Sequence, residues 1–348
     1  RRRGRRGHTT AEKVDEGYFG SYDGLGIHHT MLSDRVRTDT YRDAIQQPWM
    51  RGCTALDIGC GTSILSLFAA SAGAKHVYAV DASEIIGHAK EVVRRNGLED
   101  RITLLRGKAE EVALPVARVE VIISEWMGYC LLYEAMLPSV LAARDKWLAP
   151  GGLMMPNRAT MQLSASSYSE VAFWDSVYGF DMSNIGAASG ADKEADVLIV
   201  PSDSALSAEV TFKEIDIMTA KDDDLDFTSP FRLDISTVGQ LRSFVTGFET
   251  AFDEPGAAGA YAVAERASAT SPSFVLKTGC HEPPTHWKQT LFHLTESVAV
   301  TPGDVVAGKI SIARLGDGRR DLDVSISYTI AAADGTVRAA ERTQIWQG

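Results

Sequence analysis

Apolar and polar residues alternate along the chain in two different ways, and the change falls near residue 155. In the first half, short apolar runs such as CTALDI and HVYAV have the pattern of buried strands, and a helical pattern follows each of them. The helical segments are SILSLFAASAG, which ends at Gly73, and SEIIGHAKEVVRRN, with Ser83 as the expected N-cap and Asn96-Gly97 as the end. This alternation predicts a Rossmann-like, doubly wound α/β fold with a parallel sheet and helices on both faces.

The pattern changes after two more strands, ITLLRG and VEVIIS, and a helical stretch predicted from Glu134 to Leu148. From about Pro156, alternating apolar and polar residues are separated by Gly, Asp and Pro turns. The segments with this pattern are TMQLSAS, EVTFKEIDIM, FRLDIST, LRSFVTGFE, KQTLFHL, KISIAR and DLDVSISYTIA. They are typical of an antiparallel β-barrel or sandwich, so we place the domain boundary near Met155.

The chain therefore divides into four parts. These are an Arg/Gly-rich tail at 1–10, an N-terminal helical segment at 11–50, the α/β domain at 51–155 and the β-barrel domain at 156–348. An insertion rich in Gly, Ala and Ser at about 182–208 interrupts the barrel and contains the apolar run VLIV at 197–200.

Composition limits the class of protein only modestly. Apolar residues make up 45% and charged residues 23% of the chain, as in soluble globular proteins. No apolar run approaches the roughly 20 residues of a membrane-spanning helix, and no signal peptide is recognisable. The four cysteines lack CxxC spacing, which indicates neither a zinc site nor a disulfide framework. We therefore expect no metal, no membrane segment and a reducing intracellular compartment.

Charge is distributed unevenly along the chain. The first seven residues, RRRGRRG, contain five arginines. Without them, 30 basic residues face 46 acidic ones, a formal charge of −16 rather than −11. An acidic body of this kind attracts basic partners, although many enzymes are acidic only to remain soluble. We expect the tail to be disordered, and a nucleic-acid-binding arm or a remnant without function are both open interpretations of it.

A glycine turn indicates a nucleoside-binding site. In LDIGCGTSIL, Gly59 and Gly61 lie directly after a strand and before a helix, where glycine permits a tight turn and a close backbone approach to a ligand. Asp81 ends the next strand, where a carboxylate can accept hydrogen bonds from ribose hydroxyls. Ile64 occupies the place of the third glycine of a nicotinamide-binding motif, so a dehydrogenase is a poor match. A turn that only closes a loop is the structural alternative.

Several motifs resemble one family of enzymes. LDIGCGT followed by VYAVDAS is similar to the first two nucleoside-binding motifs of class I S-adenosylmethionine-dependent methyltransferases. SEWMGYCLLYE resembles the double-E loop of protein arginine methyltransferases, and PTHWKQT resembles their Thr-His-Trp loop. YFGSY at 18–22 and GIHHTMLSDRVRTDTYRDAI at 26–45 are similar to their N-terminal segment. Two positions depart from the family, Ser63 for a glycine and Asp81 for a glutamate.

The resemblance implies a type I protein arginine N-methyltransferase, which uses S-adenosyl-L-methionine, releases S-adenosyl-L-homocysteine and forms mono- and asymmetric dimethylarginine. Arg37 is implied to pair with the methionine carboxylate of the cofactor. Glu110 is implied to accept a hydrogen bond from the adenine amino group, and its neighbour Glu111 could be confused with it. The implied cofactor contacts are His28, Met31, Arg37, Asp57, Gly59, Gly61, Asp81, Ala82, Gly107, Lys108, Ala109, Glu110, Glu125 and Met136.

Glu125 and Glu134 are the candidates for binding the methyl acceptor. Nine residues apart, they would lie on opposite faces of a single helix. Because Glu125 ends a strand and Glu134 is expected to open the next helix, a loop can bring both carboxylates to the ligand-binding edge of the sheet. A guanidinium has a pKa above about 12, so an ordinary base cannot deprotonate it. Two carboxylates can instead hold it, orient one nitrogen and draw positive charge toward the other. Solvated loop glutamates are the alternative, which the apolar WMGYCLLY between them disfavours.

The rest of the acceptor site follows from the resemblance. His286 and Asp34 are implied to form a pair that either relays the released proton or is only structural. Tyr22 is expected to close over the substrate, with Tyr18 and Phe19 packed beside it. The implied catalytic residues are Glu125, Glu134, His286, Asp34 and Tyr22, and the implied substrate contacts are Tyr18, Tyr22, Met31, Glu125, Met127, Glu134, His286 and Trp287. Met136 is implied to shape the acceptor pocket together with Met31.

The resemblance also implies partners and a location. Substrates would be arginine/glycine-rich or otherwise basic proteins, such as histones or RNA-binding proteins, in the cytoplasm, the nucleus or both. The insertion at 182–208 would be an arm that docks on a partner subunit and forms a homodimer. No direct nucleic-acid role is predicted, and methylation of the protein's own Arg/Gly tail is a hypothesis. Two alternatives remain, a methyltransferase of another substrate class and a non-catalytic scaffold on the same fold.

Overall fold

A computed structural model describes residues 17–190, 195–253, 274–315 and 320–347. The Arg/Gly tail lies outside these residues, and so does the hypothesis that it is methylated. Four residues of the predicted arm, 191–194, also lie outside them.

The described part of the chain follows the predicted order of elements. The α-helices are α1 (Leu25–Ser33), α2 (Arg35–Ile45), α3 (Ile64–Ser71), α4 (Ile86–Arg95), α5 (Leu137–Trp147) and α6 (Ser183–Gly190), and residues 17–21 are also helical. The strands of the first half are β1 (Thr54–Ile58), β2 (His76–Asp81), β3 (Ile102–Arg106), β4 (Val119–Ser124) and β5 (Leu148–Met155). Those of the second half are β6 (Arg158–Ser166), β7 (Ala195–Leu198), β8 (Val210–Asp216), β9 (Phe227–Asp234), β10 (Gly239–Phe252), β11 (Phe274–Lys277), β12 (Gln289–Val300), β13 (Val305–Arg314), β14 (Leu322–Ala331) and β15 (Val337–Gln347).

The first five strands form one parallel sheet in the order β3-β2-β1-β4-β5. Nearly every residue of β1 and β4 is buried, as expected for strands covered on both faces. The strand order reverses between β1 and β4, and the crevice at the carboxyl ends of such a pair is where ligands of α/β sheets bind. The predicted doubly wound α/β fold is confirmed.

The remaining strands form two antiparallel sheets that pack face to face. One has the order β7-β12-β10-β6-β8 with β11 paired to β10, and the other has the order β15-β14-β13-β9. Aromatic rings join them, because Phe244 of β10 contacts both Phe231 of β9 and Tyr328 of β14, with ring centroids 5.8 and 5.1 Å apart. The predicted antiparallel domain is confirmed. The strand type changes between Met155 and Arg158, and the division into domains at this point stays a prediction.

Two local expectations were wrong. Ser83 does not cap α4, because that helix begins at Ile86 and the Ser83 hydroxyl donates to Asp81 Oδ1 at 2.6 Å instead. Glu134 does not open α5, because its backbone is left-handed, with φ of +74°, and the helix begins only at Leu137. Strands β5, β7, β11 and β15 escaped recognition; β5, for example, follows α5 without a turn and contains two adjacent glycines.

The apolar run at 197–200 belongs mainly to the barrel rather than to a docking face. Strand β7 pairs with β12, and Val200 is buried in a small cluster with Val245 and Leu291. Asp196 Oδ2 lies 2.9 Å from His293 Nε2 of β12, which further fixes the strand. Most of this run is therefore taken up by the barrel and is not available as an apolar docking face, although Ile199 itself is exposed.

Ser63 has the left-handed backbone that the family's glycine would favour, with φ of +70° directly before α3. Because a Cβ disfavours this conformation, Ser63→Gly should raise the free energy of unfolding by about 0.5 to 1 kcal/mol, after allowing for glycine's greater freedom in the unfolded chain. Urea denaturation measures this change. Ser71→Gly, at the exposed end of the same helix, is the control and should bring no gain. An unchanged or reduced stability of Ser63→Gly would contradict the interpretation.

Candidate active site

A cavity of about 430 Å³ lies at the carboxyl ends of the parallel strands. Its floor is formed by the loops that follow β1, β2, β3 and β4, and its cover by α1 and the helical residues 17–21. The N-terminal segment is fixed to the sheet by the buried Tyr41 of α2, whose hydroxyl donates to the carbonyl of Ser124 at 3.0 Å. The cavity is thus enclosed by elements that are far apart in the sequence.

The loop after β1 needs its two glycines. Gly59 and Gly61 both have positive φ, +70° and +52°. A Cβ on Gly59 would lie 2.7 Å from Cε of Met136, and one on Gly61 would lie 3.2 Å from Cε1 of His28. The glycines therefore keep the backbone open to the cavity while Met136 and His28 close around it.

Asp81 is tied to its own loop. Its Oδ2 accepts a hydrogen bond from the amide of Gly61 at 2.8 Å, and its Oδ1 accepts from the amide and the hydroxyl of Ser83 at 2.8 and 2.6 Å. The carboxylate nevertheless lines the cavity. Asp81, which is shorter than the family's glutamate, thus joins the loops after β1 and β2. Ribose binding by Asp81 stays a prediction.

Arg37 and Glu125 form a buried ion pair. Nε and Nη2 of Arg37 lie 3.0 and 2.9 Å from the same carboxylate oxygen, and the two side chains are only 7% and 8% exposed. An unpaired charge is costly in a buried site, and the ion pair gives each of these two side chains a partner inside the cavity. Whether Arg37 also binds the methionine carboxylate of the cofactor stays a prediction.

Glu134 is held by the aromatic segment above it. The hydroxyl of Tyr22 donates to Glu134 Oε2 at 2.7 Å, and His28 Nε2 lies 2.8 Å from the carbonyl of Tyr22. Burial raises the pKa of Glu134, and the negative Glu125 adds to this, whereas the hydrogen bonds from Tyr22 and Tyr18 oppose it. A bound cation would favour the charged carboxylate of Glu134, as these hydrogen bonds do.

His286 and Asp34 form the predicted pair. Asp34 Oδ2 accepts from the amide of His286 at 2.7 Å and lies 2.8 Å from its Nδ1. Although burial opposes it, the hydrogen bonds from His286 and from the amide of Arg37 lower the pKa of Asp34. The neighbouring Trp287 donates from Nε1 to the carbonyl of Met127 at 2.8 Å, which joins the Thr-His-Trp loop to the double-E loop.

The cavity brings together nearly all of the predicted site residues. Those that line it are Tyr18, Tyr22, His28, Met31, Arg37, Gly59, Gly61, Asp81, Ala82, Gly107, Lys108, Ala109, Glu110, Glu125, Met127, Glu134, Met136, His286 and Trp287. Glu110 and Glu111 both line it, so the structure does not distinguish between them as the adenine contact. The individual roles of these residues stay predictions.

Asp34 and Asp57 do not line the cavity. Asp34 stands behind His286. Asp57 is fully buried beneath the glycine loop and accepts a hydrogen bond from the Ser66 hydroxyl at 2.5 Å. Burial raises the pKa of Asp57 to about 7, and this position suits a support for the loop rather than a direct cofactor contact.

Several lining residues escaped the sequence-based search for the site, among them Ser83 and Arg320. Ser83 carried a signal, its position two residues after Asp81, but we interpreted it as a helix cap. Arg320 carried no local signal, since it reaches the cavity from the loop between β13 and β14. Within the described ranges, no group of three or more His, Cys, Asp and Glu side chains is arranged to hold a metal ion. Nor is any helix there long and apolar enough to cross a membrane.

The two halves of the chain match two family models. Residues 55–152 match a methyltransferase domain, and residues 157–333 match the arginine methyltransferase oligomerization subdomain. Together with the glycine loop and the acidic strand ends, these matches define an S-adenosylmethionine-dependent methyltransferase.

The relatives and solved structures specify the family. Protein arginine N-methyltransferase 1 of Chlamydomonas reinhardtii is 40% identical over 332 residues, which cover 93% of this chain and 91% of the relative. The protein of the same name from Schizosaccharomyces pombe is 44% identical over 90% of this chain and 89% of its own. The Trypanosoma brucei PRMT1 enzyme-prozyme heterotetrameric complex with AdoHcy matches with a TM-score of 0.80 and 35% identity, covering 94% and 99% of the two chains. The chain belongs to the protein arginine N-methyltransferase family.

The protein is thus an enzyme that methylates protein arginines, and its methyl donor is S-adenosylmethionine. The cavity fits this cofactor, because the side-chain-free faces of Gly59 and Gly61 and the carboxylate of Asp81 border it. The cofactor supplies a methyl group carried on a positively charged sulfur. The chain's own residues must bind the guanidinium of the substrate and orient it toward that methyl group.

Replacing Glu125 or Glu134 by glutamine removes one charge-assisted contact to the guanidinium of the substrate arginine. Glu125→Gln and Glu134→Gln should each lower kcat/KM for an arginine peptide by on the order of 10²-fold or more. Glu134→Gln should leave folding and cofactor binding largely intact, whereas Glu125→Gln leaves the buried Arg37 without its partner and should also lower Tm. A methyl-transfer assay measures kcat/KM, and calorimetry with S-adenosylhomocysteine measures cofactor binding. Glu99→Gln, at an exposed site away from the cavity, should retain full activity. Near-wild-type turnover by either cavity variant would refute the assigned roles.

Proposed function

We propose that this arginine methyltransferase is of type I, forming monomethylarginine and then asymmetric dimethylarginine. The observation that supports this best is the composition of the acceptor end of the cavity. Met31 and His286, the two residues on which the resemblance to type I enzymes rests, line the same cavity as Glu125 and Glu134. Relatives with similarity over most of the chain include proteins named protein arginine N-methyltransferase 1.

The two glutamates hold the substrate in the proposed reaction. Their carboxylates accept N–H groups of the guanidinium and turn one terminal nitrogen toward the methyl group. Glu134 draws positive charge toward the opposite nitrogen, so that the attacking nitrogen regains electron density. Arg37 keeps Glu125 paired before the substrate arrives.

A proton must leave the methylated nitrogen. The pair of His286 and Asp34 lies beside the cavity, and a proton relay and a structural anchor are the two roles that we consider for it. Because the pKa of Asp34 is lowered, its carboxylate stays charged, and this negative charge would stabilise a protonated His286.

One assay tests the proposed product. The enzyme is incubated with S-adenosylmethionine and an arginine/glycine-rich peptide, and the modified arginines are separated into mono-, symmetric and asymmetric forms. We expect monomethylarginine early and asymmetric dimethylarginine at long incubation. A peptide with lysine in place of arginine is the control and should not be methylated. Symmetric dimethylarginine, or monomethylarginine alone at long incubation, would overturn the type I assignment.

The chain carries the family's oligomerization subdomain, and we infer that it forms a homodimer through its arm. The surface that supports this lies just before and within the predicted arm. Phe173, Tyr178 and Phe180 are 63%, 98% and 72% exposed. Helix α6 packs against this segment, since a Cβ on Gly186 would lie 2.8 Å from Cβ of Trp174. A partner subunit would cover these side chains, which a monomer leaves in water.

Charged residues on this surface should separate the subunits. We expect a dimer at micromolar concentration for the native protein and a monomer for the double variant Phe173→Asp, Phe180→Asp, because each charge would have to be buried in the interface. Light scattering measures the mass. Ile345→Asp, also on an exposed apolar residue but on β15, should remain a dimer. A monomeric native protein, or a dimeric double variant, would refute the proposed dimer interface.

The substrates that we propose are basic or arginine/glycine-rich proteins, including histones and RNA-binding proteins. The net negative charge of the body supports this class, because it attracts basic chains. A cytoplasmic or nuclear location belongs to the same proposal.

A further inference from the structure

Arg320 connects the barrel to the double-E loop through two reciprocal hydrogen bonds. The amide of Glu134 donates to the carbonyl of Arg320 at 2.8 Å, and Nη1 of Arg320 donates to the carbonyl of Glu134 at 2.8 Å. The two residues are 186 positions apart in the sequence. Both backbone groups of a residue that binds the substrate are therefore held by one arginine of the other half of the protein.

Glu134 needs such support because of its backbone conformation. Its φ is +74°, and that of Ala135 is +47°, so two consecutive residues other than glycine are left-handed. This conformation is disfavoured by the Cβ atom and persists only where surrounding contacts fix it. Both residues precede α5 and lack the regular hydrogen bonds of a helix interior.

The same arginine also contacts the aromatic segment that covers the cavity. Its guanidinium carbon lies 3.8 Å from the ring centroid of Tyr18 and 5.4 Å from that of Phe19. The rings of Tyr18 and Tyr22 are in edge contact at 5.3 Å, and Tyr22 in turn donates to the Glu134 carboxylate. Arg320 thus fixes the Glu134 backbone directly and its carboxylate through the covering segment.

We propose that Arg320 is a positioning residue for methyl transfer, which holds Glu134 and the aromatic segment in the one arrangement that receives the guanidinium. It contributes a planar guanidinium that can bond a carbonyl and lie on a tyrosine ring at the same time. Lysine has the charge but not this planar group. The proposal rests on arginine methylation and is independent of the type I product.

The charge of Arg320 has a second effect on the same glutamate. Burial raises the pKa of Glu134, and the negative charge of Glu125 raises it further. Hydrogen bonds from Tyr22 and Tyr18 and the positive charge of Arg320 lower it. Removing Arg320 should therefore raise the pKa of Glu134 further. Because the ionised carboxylate is the active form, the acidic limb of the pH–rate profile would move to higher pH.

The test compares Arg320→Ala and Arg320→Lys with the native enzyme. We expect Arg320→Ala to lower kcat on an arginine peptide by on the order of 10²-fold and to move the acidic limb to higher pH. Arg320→Lys should keep the limb near its native position yet lose on the order of tenfold in kcat. Native turnover on the same peptide, measured in parallel, separates a failure of this proposal from a failure of the proposed function. Arg232→Ala, at an exposed arginine of β9, is the control and should match the native enzyme.

Two results would overturn the proposal. One is a kcat within twofold of the native value for either Arg320 variant. The other is a loss of activity in both variants with an unmoved acidic limb and a parallel fall in Tm, which would make Arg320 a structural brace only. If Arg320→Ala does not fold, Arg320→Lys decides alone, through its kcat relative to that of the native enzyme.

Discussion

The burial of two carboxylates in one cavity is the constraint on which the site depends. Burial raises the pKa of Glu134 and so opposes the charged form that would bind a guanidinium, and the negative charge of Glu125 adds to this effect. Each of the two carboxylates has a different partner. Arg37 pairs with Glu125, whereas Glu134 accepts a hydrogen bond from Tyr22. Both partners come from the N-terminal segment, so that segment makes the acidic site stable as well as covered.

A second constraint is that ligand-binding loops must adopt backbone conformations that most residues avoid. After β1 the chain uses two glycines and tolerates one left-handed serine. Before α5 the left-handed Glu134 and Ala135 are not glycines, and a contact from the barrel holds the backbone of Glu134. The first loop is thus set largely by its own residues, and the second by the barrel. The barrel therefore contributes to the reaction centre as well as to oligomerization.

The prediction of the fold succeeded where a pattern is local. Buried parallel strands appear as continuous apolar runs, and half-buried antiparallel strands appear as alternation, so the class of each half could be predicted from residues close together in the chain. The same holds for Gly59, Gly61 and Asp81, whose positions follow from strand ends. It failed for Ser83, which could equally have capped a helix, and for VLIV, whose apolar residues are compatible with an exposed arm or with a strand at the edge of the barrel.

The sequence by itself determined the two fold classes, the glycine loop and the presence of two glutamates near one edge of the sheet. These features depend on residue type and on the periodicity of helices and strands, which act over a few residues. The pair of Asp34 and His286, 252 positions apart, was expected from the family resemblance but from no local pattern. Only the tertiary structure decided that Glu134 stands outside the helix and that Arg320 reaches it from the barrel. Such contacts form only when distant segments pack together, and that packing is a property of the whole chain rather than of any one segment.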